Sequence, residues 1–278
     1  MKVLLARPSG ACFGVERALR LVRQAAKESG ASNVYTLGPL IHNPIVVADM
    51  KSRGVNVAGS VDDVDDGVLV IRSHGVPVND INEAREKGLQ IVDATCPHVS
   101  RAQKEAQRLA KEGYYVIIIG DPGHPEVEAI YSYAGDNACV VEDLSQIPDL
   151  PPSTSVGVVV QTTQPVSKLE QIVAVLKKRY SDLDVQNTIC SATKNRQDAA
   201  IDVARQVDAM VVIGGRNSGN TKRLFELCHE WCDNTHHIES AAELDPKWFS
   251  GCETVGVTAG ASTPQPQVDD VVKALEQI

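Results

Sequence analysis

The sequence predicts an α/β protein of three pseudo-equivalent units, residues 1–88, 89–182 and 183–278, with mostly parallel sheets arranged as a trefoil around a central cavity. Three observations carry this reading. A cysteine recurs between a strand-like run and a helical pattern at Cys12, Cys96 and Cys190, with intervals of 84 and 94 residues. A second strand and polar turn follow each cysteine at nearly fixed distance, so that His42, His124 and Ser218 lie 30, 28 and 28 residues on. The runs Val116 to Ile119, Val156 to Val160 and Met210 to Ile213 are continuously apolar, as parallel strands covered by helices on both faces require.

The elements can be justified in order. Val3 to Ala6 reads as a strand that turns through Cys12 into a helix with Val15, Ala18, Leu19, Val22 and Ala26 on one side. The second unit repeats this with Leu89 to Ala94, Cys96, and a helix bearing Val99, Ala102, Ala106 and Leu109. In the third, Val185 to Ile189 is the predicted strand, and Ala199, Ala200, Val203 and Val207 mark the helix after Cys190. An arginine follows each cysteine by five or six positions, at Arg17, Arg101 and Arg196. A short third strand ends near Val57, Val141 and Ile238, each followed by an acidic segment expected to be helical. A fourth strand, turn and helix places His74, Thr162 and Ser262 at 62, 66 and 72 residues beyond the cysteines. Ligands of parallel α/β units bind at the carboxyl ends of strands. The three cysteines and six polar turns are therefore expected to face one cavity.

Composition narrows the function. With 43% hydrophobic and 23% charged residues the chain is globular, not disordered. No apolar run approaches the roughly 18 residues of a membrane span, and Arg7 interrupts the N-terminal run too early for an export signal. A cytoplasmic protein with no membrane partner is expected. The net charge of −9, without a basic run, argues against nucleic acid. Seven cysteines, an odd number, are expected to be reduced thiols.

Three thiolates in equivalent positions suit a soft, multi-metal centre, and the lack of a fourth would leave one iron of a cubane open to substrate. The alternative is three small buried thiols at strand ends. Cys228 and Cys232, near His229, His236 and His237, superficially resemble a zinc site, but Leu224, Leu227 and Trp231 make that helix look like one that packs by an apolar stripe. Cys139 and Cys252 look like core. The turns GPLIHNP around His42, RSHGV around His74, GGRNSGNT around Ser218 and Asn220, and AGASTP around Ser262 set donors at helix starts, where an anion such as a phosphate is favoured. Each could also be an ordinary helix cap. In DPGHPEVE, His124 and Glu126 stand two apart at a helix start. A diphosphate charge about 6 Å away, at an effective dielectric near 20, would repel ionised Glu126 by roughly 3 kcal/mol, raising its pKa by about two. A carboxyl so tuned donates protons near neutral pH. Thr162, in the QTT turn, could orient substrate, relay that proton or cap a helix.

The segments GACFGVER (10–17), DATCPHV (93–99), GHPEVEA (123–129) and ATKNRQ (192–197) closely resemble the 4-hydroxy-3-methylbut-2-enyl diphosphate reductases of the non-mevalonate isoprenoid pathway. The resemblance implies an oxidoreductase with a [4Fe–4S] cluster on Cys12, Cys96 and Cys190, and one iron open to the substrate's allylic hydroxyl. It implies that His42, His74, His124, Ser218, Asn220 and Ser262 hold the diphosphate. Glu126 would deliver protons, with Thr162 nearby, and ferredoxin or flavodoxin would donate electrons. Gly219 stands where some relatives carry a second serine, so only backbone contact is possible there. Two other readings compete. A cluster-bearing electron carrier would use four protein ligands and no diphosphate cradle. A hydroxy-acid dehydratase would need arginine forks for carboxylates, for which only Arg72 and Arg216 sit in suitable turns.

Overall fold

The computed structural model describes residues 1–30 and 33–278. Among these the repeat emerges as one order of elements, β-α-β-α-β-β-α, run three times. The first pass is β1 (Lys2–Leu5), α1 (Phe13–Ser29), β2 (Val34–Leu37), α2 (Pro44–Ser52), β3 (Asn56–Ala58), β4 (Val68–Ile71) and α3 (Val78–Glu86). The second is β5 (Gln90–Asp93), α4 (Pro97–Lys111), β6 (Tyr115–Ile119), α5 (Pro125–Ala134), β7 (Ala138–Val141), β8 (Val156–Val160) and α6 (Val166–Arg179). The third is β9 (Leu183–Val185), α7 (Ser191–Ala204), β10 (Ala209–Ile213), α8 (Gly219–His229), β11 (Thr235–Ile238), β12 (Thr254–Ala259) and α9 (Gln265–Leu275).

These strands form three four-stranded sheets, every pairing parallel, in the orders β3-β2-β4-β5, β7-β6-β8-β9 and β11-β10-β12-β1. The sheets are offset by one strand from the sequence boundaries 1–88, 89–182 and 183–278. The opening strand of each repeat completes the sheet of the repeat before it, and β1 completes the last. The reason is connectivity: β4 has an open edge, and α3 is a crossover that returns the chain parallel to that edge as β5. The same holds for β8, α6 and β9. Among the described residues no strand follows α9, and the edge of β12 is taken by β1, with Val3 opposite Val255.

By packing, the chain divides into two compact units, one of Met1–Val15, His42–Val46 and Ser191–Ile278, the other of Glu16–Ile41 and Val47–Cys190. The first contains the β11-β10-β12-β1 sheet. Alternation along β10 serves both faces: Ala209, Val211 and Ile213 pack with Val268, Val271 and Leu275 of α9, while Met210 and Val212 pack with Ala200, Ala204 and Leu224 of α7 and α8. The second unit contains the other two sheets. Ile117 and Ile119 of β6 face Leu169, Ile172 and Leu176 of α6, and Val116 and Ile118 face α4 and α5. Gly157 of β8 lets α4 approach, because a Cβ there would stand 2.8 Å from Leu109 Cδ2.

Three local expectations change. The acidic segments after the third strands are single 3₁₀ turns, Val61–Asp63, Leu144–Gln146 and Ala241–Glu243. In each, the third side chain reaches back to accept backbone N–H groups just before the turn, which closes it after one revolution. The strand before Cys190 stops at Val185 rather than running to Ile189. Beyond it the Thr188 hydroxyl donates to Val160 O and accepts from Val160 N, replacing the backbone ladder, and Asn187 Oδ1 accepts from Ile189 N and turns the chain. Trp231 is 51% exposed instead of lying in an apolar stripe; the Arg205 guanidinium sits 3.9 Å from its ring centroid. No helix among the described residues is long and apolar enough to cross a membrane.

Candidate functional site

Parallel strands all point their carboxyl ends one way within a sheet, so the loop after each strand emerges on the same rim. Every residue singled out by the repeat is on such a loop or at the start of the helix behind it. Cys12, Cys96 and Cys190 lie between β1 and α1, β5 and α4, and β9 and α7. His42, His74 and Thr162 follow β2, β4 and β8; Ser262 follows β12. His124 is the N-cap of α5, Ser218 is the N-cap of α8, and Asn220 stands in the first turn of α8.

The cysteine loops share one device. The Cys12 N–H donates to Ala261 O, Cys96 N–H to Ser73 O and Cys190 N–H to Thr162 O, at 2.9, 3.0 and 3.0 Å. Each cysteine is thereby stitched to the turn after the neighbouring strand, beside Ser262, His74 and Thr162 respectively. All three are partly exposed, and no described cysteine is in a disulfide. By its chemistry the donor set is of the type an iron–sulfur cluster takes: three thiols, Cys12 in one unit and Cys96 and Cys190 in the other, each held in an equivalent backbone setting. Among the described residues, no three His, Cys, Asp or Glu side chains are grouped to hold a single metal ion. A cubane needs no such group, since each iron takes its own thiolate. The zinc-like set is core instead: Cys228 closes α8, Cys232 lies beyond it, and both are buried against Met210, Val212 and Leu224. Cys139 and Cys252 pack against apolar clusters as expected.

In the second unit, Glu126 is 2% exposed and takes two hydrogen bonds from one residue. Thr162 N donates to Oε1 at 2.6 Å and Thr162 Oγ1 to Oε2 at 2.9 Å. Burial pushes the Glu126 pKa up to about 7; the two Thr162 bonds pull against this and the Asp121 carboxylate adds to it. The sequence reading attributed such a rise to a bound diphosphate, but the fold supplies it without one, chiefly by desolvation. The Glu126 N–H donates to His124 Nδ1 at 3.1 Å, which leaves Nε2 to carry the proton of the neutral ring. Burial lowers the His124 pKa, Asp121 opposing and Arg72 reinforcing the effect, so the neutral donor form is favoured. The His74 and His124 rings meet edge to face at 5.7 Å.

Two residues behind this pair escaped the sequence reading. Gln161 is fully buried; its Oε1 accepts from Asp121 N at 2.8 Å and from Gln164 Nε2 at 3.0 Å. Gln164 Nε2 also reaches Asp121 Oδ1 at 2.9 Å, so the Thr162 turn is braced against the loop that precedes His124. The only signal was the amide-rich string QTTQ.

In the first unit, the Ser262 hydroxyl donates to His42 O at 3.2 Å, and Asn43 Nδ2 donates to Ser262 O at 2.9 Å. Asn43 was also missed. Its Oδ1 caps α2 by accepting from Ile45 and Val46, so one buried amide fixes both turns. Gly215 has no room for a side chain, because a Cβ would lie 2.3 Å from His42 O. Ser218 Oγ accepts from Thr221 N at 3.3 Å, the cap its alternative reading anticipated. Asn220 is 5% exposed, yet neither its Nδ2 nor its Oδ1 has a hydrogen-bond partner among the described residues. A buried amide left so costs stability unless a ligand completes it. Arginine forks for a carboxylate are not on offer: Arg216 is paired with Glu243 at 2.5 Å, and Arg72 Nε donates to Gly75 O.

Fold and site residues thus define a class: a parallel α/β protein whose strand-end loops present thiols, imidazoles and amides in both units, with a buried acid, Glu126, in the second. The chain belongs to the LytB protein family, whose description matches residues 3–276. It is 48% identical over its whole length to the 4-hydroxy-3-methylbut-2-enyl diphosphate reductase of Pelobacter propionicus, covering 99% of that protein. The reductase of the same name from Trichlorobacter lovleyi is 47% identical, with the same coverage. Among solved structures, (E)-4-hydroxy-3-methyl-but-2-enyl diphosphate reductase, described as the terminal enzyme of the non-mevalonate pathway, aligns over all of both chains at 40% identity with a TM-score of 0.72. The E-1-hydroxy-2-methyl-but-2-enyl-4-diphosphate reductase of Plasmodium falciparum aligns over 99% of this chain and 87% of its own at 29% identity and a TM-score of 0.94.

Proposed function

We infer that this chain reduces 4-hydroxy-3-methylbut-2-enyl diphosphate to isopentenyl and dimethylallyl diphosphates, the terminal step of the non-mevalonate pathway. The carrying observation in the structure is Glu126, an acid held protonated near neutral pH by burial, beside a neutral histidine that donates through Nε2. The reaction removes an allylic hydroxyl as water and needs two electrons and two protons. Hydroxide leaves poorly, so a positioned acid that protonates the departing oxygen is the contribution this chain can make. Thr162 keeps the Glu126 carboxyl in one orientation, and the Thr162 hydroxyl would relay its replacement proton.

The diphosphate takes its donors from His42, His74, His124, Ser218, Asn220 and Ser262. Its role is to anchor and orient the reacting carbon. The unsatisfied amide of Asn220 and the neutral, Nδ1-accepting state of His124 support this assignment. When bound, a [4Fe–4S] cluster on Cys12, Cys96 and Cys190, with one iron lacking a thiolate, supplies single electrons and a Lewis acid for the allylic oxygen. Ferredoxin or flavodoxin in the cytoplasm would bring those electrons. The test is an anaerobic titration of the reconstituted protein with the allylic diphosphate and, separately, with a hydroxy acid. A spectral change with the diphosphate alone, followed by product on reduction, is expected; a response to the hydroxy acid instead would refute the reading.

A further inference from the structure

We propose that a cleft between α1 and α4, beside Cys96, is the docking surface for an acidic one-electron carrier protein. The proposal rests on the reductase reading, because only a chain that consumes electrons needs such a surface. The cleft has a volume of about 460 Å³, and its cationic wall is Arg17, Arg101 and Lys104. Thr95 and Pro97, the covalent neighbours of Cys96 on either side, also line it. A carrier seated there is separated from the Cys96 backbone by single residues, and electron transfer rewards such closeness.

A departure from the internal repeat singles out Arg101. The arginine that follows each cysteine has a stitching duty in two of three cases. Arg17 Nη1 and Nη2 donate to Thr95 O and Asp93 O, at 3.1 and 3.3 Å, bracing the loop before Cys96. Arg196 Nη2 donates to Gly10 O at 2.8 Å, bracing the loop before Cys12. Arg101 makes no hydrogen bond or ion pair among the described residues and stands exposed in the cleft, with Lys104 one turn along α4 in the same condition. The two acids of the cleft are engaged: Glu105 pairs with Arg108 at 2.9 Å, and Asp93 Oδ1 accepts from Thr95 N at 2.8 Å. In a chain of net charge −9, an acidic carrier is repelled by the average surface. A local pair of uncommitted cations gives it a place to land beside Cys96, and steering of this kind acts mainly on encounter and is weakened by salt.

The redox balance is simple. Each docking oxidises one reduced carrier by one electron; two dockings and two protons convert one allylic alcohol into alkene and water. The test uses the holoenzyme and the double variant Arg101→Glu/Lys104→Glu, with turnover driven either by reduced methyl viologen or by a reduced acidic [2Fe–2S] ferredoxin. Viologen-driven turnover should stay within about two-fold of the unaltered enzyme, while the KM for ferredoxin rises about ten-fold or more at low salt and loses most of its salt dependence. The charge-preserving variant Arg101→Lys/Lys104→Arg should restore the original KM. Should the double reversal misfold, Arg101→Gln/Lys104→Gln is expected to raise that KM about three-fold with normal viologen turnover. An unchanged ferredoxin KM with normal viologen turnover overturns the docking surface alone. Absence of viologen turnover in the unaltered holoenzyme removes the reductase reading, and the proposal with it.

Discussion

Replacing Thr162 by Val removes one hydroxyl from a site where its effect on Glu126 has a definite sign. In the native protein that hydroxyl donates to Oε2 at 2.9 Å and the Thr162 N–H donates to Oε1 at 2.6 Å. Both bonds stabilise the carboxylate and hold its pKa down to about 7 against burial. Valine keeps the branched shape and the backbone bond but cannot donate from its side chain. A hydrogen bond to a charged acceptor contributes about 1.5–3 kcal/mol, equivalent to a rise of about one to two in pKa. The Glu126 pKa in Thr162→Val should therefore lie near 8 to 9. The assay is the pH dependence of viologen-driven kcat/KM, paired with infrared detection of the carboxyl stretch against a Glu126→Gln blank. The acid form should persist to higher pH, and the alkaline limb should move up with it. A midpoint that stays near 7 or falls would show that the hydroxyl does not act on Glu126 and would refute the reasoning.

Four further outcomes are expected. Glu126→Gln should retain substrate binding while turnover falls at least about a hundred-fold, as loss of a general acid does; normal turnover would remove Glu126 from the proton path. The same substitution has a stability signature. The folded pKa of about 7 lies above the ordinary glutamate value of 4.5, so the stability Glu126 contributes is full below pH 4.5 and is lost as pH rises through 7, about 3 kcal/mol in all. Denaturant unfolding from pH 4 to 8 should show that loss in the native protein and not in Glu126→Gln. Asn220→Ala should leave the melting temperature nearly unchanged, because the amide it deletes has no hydrogen-bond partner among the described residues, yet raise the KM for the allylic diphosphate about ten-fold. An unchanged KM would take Asn220 out of the diphosphate site. Cys96→Ser should bind less iron than the unaltered chain on anaerobic reconstitution; a full cubane in that variant would contradict its ligand role.

The strand-end placement of the candidate residues was legible because the repeat constrains it. Cys12, Cys96 and Cys190 could be aligned by counting, and so could the turns that carry His42, His124 and Ser218. The supports were harder to see. Gln161 and Asn43 act through amides whose partners are 40 and 219 residues distant, and no local pattern distinguishes them from ordinary loop residues. The strand before Cys190 was overextended for a related reason: Ile189 and Val185 carry strand propensity, but the Thr188 side chain takes the hydrogen bonds that a longer ladder would have used.

By itself, the sequence determined that thiols and polar donors occur at the carboxyl ends of strands, since a parallel strand followed by a helix has a fixed polarity and a triplicated pattern repeats it. It determined the chemistry available there as well. Tertiary structure alone decided which edge each opening strand would join, because strand pairing depends on an open hydrogen-bonding edge rather than on proximity along the chain. It likewise decided that Glu126 meets Thr162, 36 residues away, and that water is excluded from both. An acid's pKa follows its surroundings, and those surroundings exist only after the chain has packed.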